Sequence, residues 1–215
     1  MEIVYTIPGL GTDRNLFKNI SIPQHSLKIL EWPKPEPAFT LSDYAKTFID
    51  QIDKSTPINM MGVSFGGMLC CEIADLIQVK KLVLISSCKT REELPIRIKF
   101  LKIFPLHKLV RDSGYRKLVS KLSWFIGFEK NDLFEFKQMA QSMPPNYFKY
   151  CIDMIINWPR KYNSQTIYHI HGLADRLLPS SKIKNFEPIK NGNHAMVVYK
   201  AHELNSILKK VFNGH

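Results

Sequence analysis

No apolar stretch in the 215 residues approaches the roughly 18 to 20 needed for a bilayer-spanning helix, so no transmembrane segment is expected. The first residues, Met1-Glu2-Ile3-Val4-Tyr5, carry no basic segment and enter a strand pattern at once, so no secretory leader is expected either. Cysteine is scarce. Cys70, Cys71, Cys88 and Cys151 show no metal-ligand spacing, and adjacent Cys70 and Cys71 would point to different faces of a helix. The expectation is buried, reduced thiols in a cytoplasmic protein. The chain also lacks any run of five Lys or Arg and any recognisable nucleic-acid motif. Its net charge of +11 is therefore not read as a nucleic-acid footprint. His169 and His171 share a strand face, but no carboxylate or cysteine pattern completes a metal site around them. They are read as structural, and no metal or cofactor is expected.

What remains is an ordinary globular composition, with 45% hydrophobic and 23% charged residues. The chain is organised around residues 58–74, where an apolar run, Ile58-Asn59-Met60-Met61, leads into Gly62-Val63-Ser64-Phe65-Gly66 and then into a helical pattern. A serine that attacks a carbonyl must stand clear of its own backbone, which a strained strand-to-helix turn achieves. Gly62 and Gly66 are expected because a Cβ at either position would crowd the neighbouring strand and helix. The Phe65 N–H, at the helix start, is aimed where an oxyanion would form.

This stretch resembles the nucleophile elbow of the α/β-hydrolase family, whose chain order is Ser, then Asp or Glu, then His. Two later motifs follow that order. His171-Gly172-Leu173-Ala174-Asp175 ends a strand pattern, and Gly192-Asn193-His194 follows the last one. The resemblance implies catalytic roles for Ser64, Asp175 and His194. It also makes the Leu10 N–H the second oxyanion donor beside Phe65, although Pro8-Gly9 stands where many members carry His-Gly. Gly9 is expected to let that N–H turn toward the serine, and Gly192 to permit the turn that aims His194.

Short strand patterns at 3–7, 26–30, 58–61, 81–87, 164–170 and 186–189 imply a mostly parallel sheet of about six strands with helices on both faces. The resemblance implies an α/β-hydrolase fold lacking the first strands. One amphipathic helix is expected over Leu41 to Asp53, capped by Thr40 with Asp43, and a last helix over His202 to Phe212. Residues 89–161 show only helical patterns, near 95–104, 108–125, 132–142 and 146–158. They divide the chain into a core, 1–88 and 162–215, and an inserted helical cap, 89–161. The cap holds 15 Lys or Arg against 7 Asp or Glu, and 12 of the 24 aromatic residues. It reads either as ordinary helix cores with solvated lysines or as an apolar acyl pocket with a basic rim, to which Trp124 and Phe125 would contribute. The second reading suits a small ester or thioester substrate with an anionic handle. A patch that rests on anionic lipid fits the same composition, although no helix shows a clean one-sided basic face. The expected activity is hydrolysis of a carboxylic ester or thioester through an acyl-enzyme. The same residues also fit carbon–carbon hydrolysis, a lyase reaction, acyl transfer, or a non-catalytic binding protein.

Overall fold

The computed structural model describes residues 1–214, apart from the side chains of Val119, Ser120, Leu122 and Trp124. Six strands, β1 (Glu2–Ile7), β2 (His25–Ile29), β3 (Ile58–Val63), β4 (Val79–Ile85), β5 (Ile167–Gly172) and β6 (Glu187–Ile189), pair in the order β2-β1-β3-β4-β5-β6. Every pairing is parallel. The central strands are apolar without alternation because both their faces are covered; all of β3 is buried.

Parallel neighbours need crossovers, and right-handedness decides their face. The connections β2 to β3, through α1 (Leu41–Lys46), and β3 to β4, through α2 (Phe65–Ile73), advance in one direction and lie on one face, where α1 and α2 pack together. The β1 to β2 connection runs the other way and places its 3₁₀ turn, Arg14–Phe17, on the opposite face. There it meets α7 (Met196–Tyr199), which leads into α8 (Ala201–Asn213). Leu204, Leu208 and Phe212, at helical spacing, form the buried stripe of α8.

Between β4 and β5 lie four helices, α3 (Ile96–Ile103), α4 (Asp112–Ile126), α5 (Leu133–Ser142) and α6 (Tyr147–Asn157), and no strand. Both ends of this segment are tied to the sheet. The buried Glu93 carboxylate accepts the N–H groups of Lys89 and Lys184. Arg160 donates to Glu72 and twice to Asp75, and Trp158 Nε1 donates to Glu72. Arg116 closes the far end of α5, donating to the carbonyls of Ala140, Gln141, Met143 and Pro144.

Several boundaries differ from expectation. The Thr40–Asp43 capping box is present, but α1 ends at Lys46. The Thr47 hydroxyl takes the Tyr44 carbonyl, the backbone tightens to i→i−3 bonds, and a 3₁₀ turn, Ile49–Gln51, replaces the last turns. β4 stops at Ile85 because Ser86 adopts φ 47°. Lys108 falls in a 3₁₀ turn, Leu106–Leu109, and α4 begins four residues later. Among the described residues no helix is long and apolar enough to cross a membrane. All four thiols are free and buried. Burial raises each thiol, that of Cys71 to about 12.

Candidate active site

Ser64 stands between β3 and α2 with φ 53° and ψ −119°, a region a non-glycine residue occupies only under constraint. The constraint is visible. Its N–H donates to the Ile85 carbonyl at 3.0 Å. Its own carbonyl accepts from the N–H groups of Gly67 and Met68 and from Ser87 Oγ at 2.6 Å. The flanking glycines are required by close approach. A Cβ on Gly62 would lie 2.5 Å from the Gly66 carbonyl oxygen of α2, and one on Gly66 would lie 2.3 Å from the carbonyl oxygens of Ile7 and Pro8.

His194 Nε2 lies 2.9 Å from Ser64 Oγ, and His194 Nδ1 lies 2.7 Å from Asp175 Oδ2. An ionised carboxylate only accepts, so Nδ1 carries the proton and Nε2 is left to accept the hydroxyl. Asp175 Oδ1 accepts the N–H groups of Leu177 and Leu178 at 2.9 and 2.8 Å. Burial alone would raise the Asp175 carboxyl. The His194 imidazole and the Leu178 N–H outweigh it, and the net shift is below the ordinary carboxylate value.

The two loops carrying Asp175 and His194 are stitched together. Gly192 accepts the Ala174 N–H, Leu173 donates to Ile189, and a Cβ on Gly172 would lie 2.1 Å from the Gly192 oxygen. Gly192 is thus required by packing against Gly172 and Ile189, while the residue of that turn in the left-handed region is Asn191, at φ 57°. A similar exchange occurs near Leu10. A Cβ on Gly9 would meet Ser64 Cβ at an ordinary 3.6 Å, so glycine is not demanded there, whereas Gly11 has φ 74°. The Gly9–Leu10 loop therefore runs beside the serine. Neither the Leu10 nor the Phe65 N–H has an acceptor among the described residues.

Four supporting residues escaped the motif reading. Ser87 fixes the Ser64 carbonyl. His171 Nε2 donates to the Leu178 carbonyl and so holds the Asp175 turn. Asn193 donates to the Gly127 carbonyl, and Ala195 N–H to Ile126, which ties the end of α4 to the His194 loop. The polar pair Ser86-Ser87 closing an apolar strand was the available signal for the first. Phe125 is partly buried, with the Arg97 guanidinium 5.3 Å from its ring centroid. Arg97 also donates to the carbonyls of Arg176 and Leu177, just beyond Asp175. The Trp124 side chain lies outside the described residues.

His169 packs edge-to-face on His171, at 5.3 Å between ring centroids. Burial holds its pKa well below the usual histidine value; the His171 ring and Lys89 add to the effect, and the Ser87 backbone opposes it too weakly. Because the folded value is depressed, the unfolded chain takes up the proton first as pH falls below about 6.5. Stability should drop by about 1 kcal/mol per pH unit from this residue between about pH 6.5 and 5.5. Urea midpoints across that range should show a shallower fall in His169→Leu; an unchanged slope would mean the ring charges in place.

No protein-family model matches the sequence, and no curated protein matches it. Solved structures do match over almost the whole chain. An esterase from Thermogutta terrifontis gives a TM-score of 0.78 at 14% identity, covering 100% of this chain and 90% of the other. A hydrolase from Pseudomonas aeruginosa gives 0.72 at 12% identity, covering 100% and 90%. MenH from S. aureus gives 0.72 at 12% identity, covering 99% and 94%. Six parallel strands in this order, with a helical insertion after β4 and this likeness over the full length, establish that the chain has the α/β-hydrolase fold.

Proposed function

We propose that the protein is a serine hydrolase that cleaves a carboxylic ester or thioester by way of an acyl-enzyme. The observation that carries the reading is the unbroken chain Ser64 Oγ to His194 Nε2, then His194 Nδ1 to Asp175 Oδ2, built on a serine held at positive φ. Ser64 Oγ attacks the substrate carbonyl carbon while His194 Nε2 takes its proton. The oxyanion is received by the N–H groups of Leu10 and Phe65, both without acceptors among the described residues. The tetrahedral adduct collapses, and the imidazolium returns the proton to the leaving alkoxide or thiolate. Water then repeats the sequence on the acyl-enzyme and frees Ser64. Asp175 keeps His194 in the tautomer that can accept from serine and stabilises its cationic form.

In this reading residues 89–161 form a cap over the site, and 1–88 with 162–215 form the core. Phe125 supplies apolar surface to the acyl group, and Arg97, above that ring, meets an anionic handle. The esterase among the structural neighbours is in keeping with an ester substrate.

The test is labelling by a fluorophosphonate, read by intact mass. Wild type should gain one adduct and Ser64→Ala none. A folded wild type that stays unlabelled, with the cap present and with 89–161 replaced by a short linker, would instead support a binding module.

A further inference from the structure

Among the described residues none covers the outward face of α3 and the 3₁₀ turn after it. Ile96, Phe100 and Ile103 recur at i, i+4 and i+7 and form one helix face, yet their exposures are 68%, 53% and 69%. Phe104, Leu106 and Leu109 continue the surface, with Leu109 reaching 81%. The inner side is anchored. Ile98 packs on the core, and His107, buried between exposed Leu106 and Lys108, bonds Asp153 through Nε2 at 2.9 Å. Tyr115 OH donates to the His107 carbonyl. The exposed residues are thus held out by a fixed support. Isolated exposed apolar residues are common, but six large ones within fourteen positions form a patch that calls for a partner.

Charge identifies the partner. Residues 96–111 hold Arg97, Lys99, Lys102, Lys108 and Arg111 and no Asp or Glu. Arg97 is held by the Arg176 and Leu177 carbonyls, Lys99 by Glu92 and Lys108 by Asp153, whereas exposed Lys102 and Arg111 have no carboxylate partner among the described residues. A projecting set of Phe, Ile and Leu ringed by cations suits a fluid apolar layer beneath negative headgroups.

We propose that α3 and the following turn dock the protein on the surface of an anionic lipid bilayer. The aromatic and aliphatic tips enter the headgroup boundary, and Lys102 and Arg111 meet lipid phosphates. The protein lies on the bilayer and does not cross it. This attachment does not depend on the chemistry proposed for Ser64.

Co-sedimentation with sucrose-loaded vesicles tests it, comparing phosphatidylcholine alone with phosphatidylcholine mixed with phosphatidylglycerol. Wild type should bind the anionic vesicles selectively and lose binding as salt rises. The double variant Phe100→Ser with Ile103→Ser should bind at least about tenfold more weakly. Lys102→Gln with Arg111→Gln should lose about thirtyfold at low salt. All four side chains are exposed, so the fold should tolerate the changes, checked by circular dichroism. Absence of wild-type binding to anionic vesicles would overturn the proposal, as would full binding by the serine variant. So would a dimer in sedimentation velocity that the serine variant abolishes, without vesicle binding, since the face would then belong to a second copy.

Discussion

With His194 replaced by alanine, turnover of an ester substrate is expected to fall by roughly 10⁴- to 10⁶-fold. Among the described residues the imidazole alone bridges Ser64 Oγ and Asp175 Oδ2, at 2.9 and 2.7 Å. Its loss removes the proton acceptor for attack and the proton donor for departure in one step. Substrate binding should change little, because the backbone N–H groups of Leu10 and Phe65 and the surface near Phe125 remain. The loss should therefore appear in kcat and leave KM nearly unchanged. Asp175→Asn is expected to cost about 10⁴-fold through a different route. An amide can donate to His194 Nδ1, which would leave the proton on Nε2, the atom that must accept from Ser64. Steady-state kinetics on purified variants with unchanged melting curves decides both cases. A His194→Ala protein that retains a tenth of its activity would remove the assignment.

The second large effect is on folding. Gly66→Ala places a methyl group 2.3 Å from two backbone oxygens, those of Ile7 and Pro8, and no flexible side chain can yield. Relief requires moving α2 away from the end of β1. That shift also displaces the Leu10 loop, so stability and catalysis should fall together. We expect a loss of about 3 kcal/mol or more, measured as a drop in the urea midpoint. Gly9→Ala is the control. Its added carbon would meet only ordinary contacts at 3.6 Å or beyond and its φ is not left-handed, so it should stay within about 0.5 kcal/mol of wild type. If both behave alike, close approach is not what keeps glycine at position 66.

These two glycines show what could be read without coordinates. Position 66 was legible because a serine between two glycines after an apolar run has one steric explanation. At position 9 the same residue type beside the same site suggests a backbone need, which in the fold belongs to Gly11, two residues on. Likewise the sequence marks Gly192 without its reason. The left-handed residue is Asn191, and Gly192 yields space to Gly172, a contact between the end of β5 and the loop after β6 that no local pattern encodes. The spacing of Ser64, Asp175 and His194 along the chain was visible, but their hydrogen-bond distances follow from how three loops meet. Apolar periodicity continues through Ile49 and Ile52 and so predicts a helix longer than α1. The Thr47 hydroxyl, which takes the Tyr44 carbonyl, ends the regular turn earlier than periodicity suggests. The supporting bonds of Ser87, His171 and Asn193 join residues far apart in sequence or lie across a turn, and side-chain type alone does not announce them.

Strand order has a consequence in time. The pairings of β1, β2, β3 and β4 use only residues before position 86, whereas β5 joins β4 through Leu82 and Ile167, across the whole of 89–161. During synthesis the first four strands and α2 leave the ribosome together and can close around Ser64 before β5 exists. The nascent chain then carries a shaped turn with neither Asp175 nor His194 beside Ser64. His194 follows β6 in the chain, so under the proposed chemistry reactivity is withheld until the sheet is complete, and a product interrupted before it would hold Ser64 in place but idle.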